Sequence, residues 1–311
     1  MAGNAIEVSG LTKVYGPLRA VDGIEFTVPA GQVFAFLGPN GAGKTTTTEI
    51  LEGLRNRTSG NVRVLGLDPW KEGDELHRRI GVIPQEFKFF EKIHPREAID
   101  YYGDLFDRPV DPESLLKRVY LLDKADSKFD TLSGGQKQKL GLALSLVNDP
   151  EVCFLDEPTT GLDPQARRAI WEVIRQLKAD GRTVFLTTHY LEEAQLLADQ
   201  VAIIHHGQII VRGTPGEIVA SRGRPDRLRF ESGPELARYL AAHLPFAVTS
   251  EDGHVDVEIA TPADAQRVFD TLSTSGLGTP RFTVQRDSLE EIFVRAVGQM
   301  DDGLLKSEGG A

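Results

Sequence analysis

VFAFLGPNGAGKTT, residues 33–46, sets an apolar run against a glycine-rich loop and then against the start of a helical pattern. That order is the context a G-x-x-x-x-G-K-[ST] phosphate loop requires. In such a loop Gly38, Gly41 and Gly43, with Pro39, Asn40 and Ala42 between them, let backbone N–H groups ring a β-phosphate. The dipole of the following helix adds to the same field. Lys44 is placed to reach the β- and γ-phosphates and Thr45 to bind Mg²⁺, with Thr46 beside it in the same turn. A glycine-rich loop without a ligand is the bland alternative, and the strand before the loop argues against it.

Working outward, EVCFLD (151–156), TVFLTTH (183–189) and VAIIHHG (201–207) are further apolar runs, most of them followed by helical patterns. Alternation of that kind predicts a parallel α/β sheet buried on both faces. The run VCFLDEP ends in two carboxylates. Asp156 is placed to hold Mg²⁺ through its water shell, and Glu157 to polarise an attacking water. Between VIPQE (82–86) and NDP (148–150) the apolar spacing turns helical, so a helical subdomain over about 87–150 is expected as an insertion.

Within that insertion TLSGGQKQKLGLAL (131–144) begins a helix awkwardly. From Lys137 the spacing of Leu140, Leu144 and Val147 is amphipathic, yet Gly134 and Gly135 stand at the start, each costing about 1 kcal/mol relative to Ala in a helix interior. A surface turn capped by Ser133 explains the serine but not the paired glycines. An anion brought close to the helix N-terminus explains both, because a Cβ would then be in the way.

The 311 residues suggest one large and one small domain, and 40% hydrophobic with 26% charged residues is the composition of a globular protein. No run of eighteen apolar residues and no basic, then apolar, leader is present in the sequence, so neither a membrane span nor a secretory signal is expected. Cys153 is the single cysteine, which excludes an internal disulfide or a cysteine zinc cluster and fits a reducing cytosol. A net charge of −11 argues against nucleic acid as a partner. The first domain is expected over 1–220, and SRGRPD (221–226) reads as a linker. From 225 to 297 the order of patterns is βαββαβ, which suggests a small α+β, ferredoxin-like accessory domain. It closes with SLEEIFVRAVG, in which Ser288 and Glu291 form a capping box. The Gly-rich, acidic tail, 298–311, is expected to be disordered.

With these residues in place, the chain resembles the nucleotide-binding subunits of ATP-binding cassette (ABC) transporters over about residues 6–213. LSGGQ (132–136) resembles the motif that defines the family, a more specific mark than the phosphate loop. Tyr15 matches the aromatic that stacks on adenine, Gln85 the Q-loop, Asp163 in TTGLDP the D-loop, and His189 in LTTHY the switch histidine. The resemblance implies a P-loop NTPase fold with ATP and Mg²⁺ as ligands. It also implies a head-to-tail pair in which Ser133, Gly134, Gly135 and Gln136 of one protomer face the γ-phosphate held by the other. Glu157 would be the general base, His189 would orient phosphate and water, and Gln85 would touch the Mg²⁺ shell. A separate membrane permease with about six spans would hold the chain at the cytoplasmic side of the cell membrane and would select the substrate. Phe87, Phe89 and Phe90 follow Gln85 where the family receives the permease, and local core is the equal alternative for them. The C-terminal module resembles that of daunorubicin-type drug exporters. An importer ATPase, a soluble ABC protein of translation or DNA repair, and a small-molecule kinase are the rival readings.

Overall fold

A computed structural model describes residues 3–85, 87–222, 225–278 and 280–308 of the chain. β1 (Asn4–Tyr15) and β2 (Leu18–Pro29) form an antiparallel hairpin, and β3 (Val33–Leu37) runs through the glycine-rich loop into α1 (Lys44–Leu51). β4 (Ser59–Val64), α2 (Gly73–His77) and β5 (Ile80–Ile83) come next. The helical stretch holds α3 (Pro95–Leu105), α4 (Pro112–Arg118) and α5 (Gly134–Ser145). The chain then alternates β6 (Val152–Asp156), α6 (Pro164–Ala179), β7 (Thr183–Thr188), α7 (Leu191–Leu197) and β8 (Gln200–His205), ending in β9 (Gln208–Gly213).

The central sheet has the order β5-β6-β7-β3-β8-β9, parallel except for the edge strand β9. Its strands are apolar at consecutive positions because each face has its own core. Phe34, Phe36, Phe154 and Phe185 point to one side, where they pack with Phe26 of β2; Phe34 and Phe185 stack at 5.6 Å. Val33, Cys153, Leu155, Val184 and Leu186 point to the other side, against Leu140, Leu144, Ile170 and Ile174 of the helices. Cys153 is thus a small core residue, and burial pushes its thiol up to about 12. The order β2-β1-β4 makes a second, antiparallel sheet that covers the first face.

Close backbone contact fixes the helical stretch to this core. A Cβ on Gly81 would collide with the carbonyl oxygen of Ser145, so α5 lies directly on β5. Gly141 faces the ring of Phe87 at 3.1 Å from where its Cβ would stand. Phe87 and Phe89 pack into the core with Phe129 and Tyr102, while Phe90 is 67% exposed.

Contacts split the chain into two units, Met1–Pro215 and Gly216–Ala311. α8 (Pro215–Arg222) spans the division, and β10 (Asp226–Glu231), α9 (Pro234–His243), β11 (Val248–Glu251), β12 (His254–Ile259), α10 (Pro262–Thr274), β13 (Phe282–Gln285) and α11 (Leu289–Glu308) follow. The sheet order β11-β12-β10-β13, antiparallel throughout, places the first and third strands at the centre, as the βαββαβ pattern requires. Val255, Val257, Leu228 and Phe230 face Leu236, Leu240, Val268 and Leu272 of α9 and α10.

Two boundaries differ from expectation. Ser221 and Arg222 close α8 and Asp226 opens β10, so the linker is shorter than 221–226, and residues 223 and 224 lie outside the described residues. α11 continues past Gly298 to Glu308, since its two glycines, Gly298 and Gly303, cost only about 1 kcal/mol each and Val297, Met300 and Leu304 prolong the helical spacing. Residues 309–311 of the tail lie outside the described residues.

The contact of β5 with α5 makes a direct prediction. Gly81→Ala should lower stability by about 1–3 kcal/mol, the usual cost of overpacking, seen as a lower urea midpoint at unchanged slope.

Candidate active site

The site is built where β3, β6 and β7 end, at one edge of the sheet. The three glycines of the loop have three different reasons. A Cβ on Gly38 would collide with the Ile204 carbonyl of β8, so this glycine lets the loop leave the sheet. Gly41 has φ +78° and open space around it. Gly43, at φ +109°, leaves 2.5 Å between its absent Cβ and the Ala20 carbonyl. Gly38 and Gly43 thus accommodate this chain's own backbone, and Gly41 faces open space.

Lys44 is buried, and its ammonium donates to the carbonyls of Gly38 at 2.8 Å and Pro39 at 3.2 Å. It lies 3.6 Å from Glu157 Oε1. Tyr15, Pro39, Asn40, Gly41, Gly43, Lys44, Thr45, Thr46, Gln85 and Glu157 line one cavity of about 280 Å³ with Leu18 and Ala20. Ala42 is buried behind the loop. Lys13 and Arg55 place cationic groups 4.9 and 5.4 Å from the ring centroid of Tyr15, so the aromatic wall is positively charged.

Glu157 collects the remaining groups. Its Oε2 accepts from Gln85 Nε2 at 3.3 Å and from Thr160 Oγ1 at 3.1 Å, and lies 3.2 Å from His189 Nδ1. Its backbone sits at φ 47°, rare for a residue with a side chain, and its N–H donates to Thr187 Oγ1 at 3.0 Å. Thr187 also donates its hydroxyl proton to Asp156 Oδ1. Burial, and secondarily the charge of Glu157, raises the Asp156 carboxyl above the usual range, partly offset by the Thr187 hydrogen bond and by Lys44. A carboxylate in that situation is a good donor for a hard cation. Thr45 is exposed and lines the cavity on the loop side.

The signature residues stand apart from this cavity. Ser133 N-caps α5, with Ser133 N donating to Gln136 Oε1 at 2.9 Å and Gln136 N to Ser133 Oγ at 3.3 Å. A Cβ on Gly134 would meet nothing within 4 Å, whereas one on Gly135 would come within 2.9 Å of Ala166 Cβ on α6. Gly135 therefore already has a reason within its own chain: it admits α6. Asp163 caps α6, accepting from the N–H groups of Gln165 and Ala166 at 2.9 Å each. Within one chain, Ser133, Gly134, Gly135, Gln136 and Asp163 are not brought to the phosphate loop.

Three residues escaped the sequence reading. Thr187 binds the Asp156 carboxylate and Thr160 that of Glu157; the threonine pair that ends an otherwise apolar strand, LTTH, was the available signal for Thr187, and the pair in EPTTG that for Thr160. Glu52, at the end of α1, is nearly buried, and desolvation, with the charges of Asp156 and Glu49, pushes its carboxyl up to about 8. Nothing local in GKTTTTEILEG announces the burial that is the main cause, and Asp156 lies more than a hundred positions away.

A glycine-rich phosphate loop and a pair of strand-end carboxylates around one lysine define a phosphate-loop nucleotide hydrolase. Comparison with known proteins narrows this. The ABC transporter family model matches residues 21–160, and that of the C-terminal domain of DrrA1-3-like ATP-binding proteins matches residues 213–297. The chain is 40% identical to the daunorubicin/doxorubicin resistance ATP-binding protein DrrA of Streptomyces peucetius, over 96% of this chain and 94% of that protein. It is 36% identical to the Nod factor export ATP-binding protein I of Rhizobium meliloti strain 1021, over 95% and 88%. A solved ATP-binding subunit of an ABC transporter superposes with a TM-score of 0.63 at 27% identity, covering 70% of this chain and 92% of that one. The chain belongs to the ATP-binding, ATP-hydrolysing subunits of ABC transporters, in the company of exporter ATPases.

Glu52 ties the site to pH. Its carboxyl titrates near 4.5 when unfolded and about 8 when folded, so between those values the folded chain holds a proton that the unfolded chain has lost. Stability should fall as pH rises through that window, by on the order of a few kcal/mol. Glu52→Gln, which mimics the protonated form, should flatten the decline and exceed the parent at pH 8 in urea titrations.

Proposed function

We propose that the chain powers export by binding MgATP in the cavity above α1 and closing head to tail on a second copy of itself, with hydrolysis reopening the pair. The observation that carries this reading is the convergence of Gln85, Thr160 and His189 on one oxygen of Glu157 beside Lys44. A carboxylate so held is oriented to take a proton from water, and the His189 ring beside it can hold water or a phosphate oxygen in line. Lys44 and the loop N–H groups bind the phosphates, and the Tyr15 ring takes the adenine. Thr45, Asp156 and, through water, Gln85 would hold Mg²⁺, which when bound neutralises charge on the β- and γ-phosphates.

Ser133, Gly134 and Gln136 complete the site of the other protomer in this reading, because their helix N-terminus is exposed and remote from the cavity of their own chain. Asp163 sits at the same junction. A permease with about six spans, on whose cytoplasmic side the pair would sit, would dock at the cavity of about 440 Å³ lined by Ile80, Val82, Phe87, Phe89, Tyr102 and Leu144. Among the described residues no helix is long and apolar enough to cross a membrane. Nucleotide work belongs to the first unit, Met1–Pro215, and residues 225–297 are accessory.

Glu157→Gln should bind MgATP normally and turn over at least about a hundredfold more slowly, the scale expected for losing a positioned base. Lys44→Ala should instead lose nucleotide affinity. ATPase rates beside equilibrium binding of a fluorescent ATP analogue separate the two, and near-normal turnover in Glu157→Gln would overturn the assignment of the base.

The pairing has its own test. Gly134→Asp fits the protomer sterically and would place a carboxylate against the γ-phosphate of the opposite chain. Two such charges about 4 Å apart repel by roughly 4 kcal/mol at an effective dielectric near 20. In a Glu157→Gln background, ATP-driven association followed by light scattering, with the permease added where the subunit alone associates weakly, should disappear while single-chain ATP binding survives. Persistence of the ATP-bound dimer would refute the site in trans.

A further inference from the structure

We propose that Glu193 is a positioning residue: through one carboxylate oxygen it latches α7, which follows His189, to the loop that follows Glu157 and to α6. The proposal rests on the roles assigned above to Glu157 and His189. Glu193 is 0% exposed. Its Oε1 accepts from Thr159 Oγ1 at 2.6 Å and from Trp171 Nε1 at 2.7 Å. Thr159 is itself buried and stands two residues after Glu157; Trp171 belongs to α6, the helix capped by Asp163.

A carboxylate withdrawn from water is unfavourable, and the same helix buries Ala194 and Leu197 without any polar group. An apolar side chain at position 193 would therefore serve packing alone. What the carboxylate adds is a common acceptor for two donors on two other segments, and each donor would be left buried and unpaired without it. Glu193 Oε2 has no hydrogen-bond partner among the described protein atoms, so both bonds fall on a single atom. A second link runs parallel to this one: the guanidinium of Arg167 on α6 lies 4.7 Å from the ring centroid of Tyr190, whose ring is 4.2 Å from that of His189.

The consequence is geometric. The Glu157 backbone is already tied to Thr187 at the end of β7, and His189 follows that strand directly. Glu193 closes the loop from the other end, so that the carboxylate and the imidazole facing each other at 3.2 Å are each held from two sides. None of Glu193, Thr159 and Trp171 lines the phosphate-loop cavity. Releasing the latch should therefore reduce the rate of hydrolysis and leave nucleotide affinity alone, since misplacement of about 1 Å can cost on the order of a hundredfold in rate.

The test uses the full chain with Trp70, which is exposed, replaced by Phe, so that Trp171 is the remaining tryptophan. Steady-state kcat, binding of a fluorescent ATP analogue, thermal melting and Trp171 emission are measured together. Glu193→Ala should lower kcat at least about tenfold, hold nucleotide Kd within about twofold and shift the Trp171 emission. Glu193→Gln, whose amide oxygen can accept both bonds, should restore kcat to within about threefold and return the emission towards the parent value. Thr159→Val, nearly isosteric and lacking one bond, should give an intermediate kcat with a cooperative melt, and decides the matter where Glu193→Ala fails to fold. Parent-level kcat in Thr159→Val or in folded Glu193→Ala would overturn the latch, as would equal losses of kcat and affinity. A Gln variant as slow as the Ala variant would overturn it too, by placing the effect in charge rather than in the shared bonds. Turnover that survives Glu157→Gln but falls in Glu193→Ala would fault the proposed base and leave the latch standing.

Discussion

Burial of the central sheet on both faces is the constraint from which the remaining architecture follows. A parallel strand cannot return to its neighbour by a tight turn, so each crossover contributes a helix, and the loops that precede those helices gather where the strands end. The phosphate loop after β3, the carboxylates after β6 and the histidine after β7 meet for that reason. The phenylalanine stack formed by Phe26, Phe34, Phe36 and Phe185 closes one face, and α5 and α6 close the other. Were either cover loosened, the register of β3, β6 and β7 that aligns Phe36, Asp156 and Thr187 at one edge would lose its support.

Charge is concentrated within this frame. Asp156, Glu157 and Glu52 are all buried near the phosphate loop, and Lys44 is the buried cation that accompanies them. Such an excess of carboxyl groups is tolerable because one of them, Glu52, retains its proton near neutral pH and another, Asp156, is pulled by burial in the same direction.

The parts of this arrangement that could be read from sequence are those with local signatures. A glycine pattern, a strand ending in Asp-Glu and a histidine after Thr-Thr each announce themselves within a few residues, and β3, β6, β7 and β8 lie where the apolar runs place them. The antiparallel sheet of β1, β2 and β4 was missed although Ile24, Phe26 and Val28 of β2 alternate; the bulges of β1 between Val8 and Lys13 break that period in the strand that joins the other two. The reasons for particular glycines were not legible. Gly38 and Gly135 look like their neighbours in a motif, yet Ile204 and Ala166, distant in sequence, decide what each of them clears. The continuation of α11 beyond Gly298 was missed for the opposite reason, a local feature being weighed above a helical spacing that persists through it.

Cys153 lies in the middle of β6, walled in on both sides, with a thiol that holds its proton well into the alkaline range. Because it is the chain's single cysteine, the exterior of the protein is chemically silent towards maleimides and other thiol reagents. Cysteines introduced at exposed positions would be the only reactive thiols, so a pair of dyes or spin labels can be placed on this ATPase without first removing a native residue from its core.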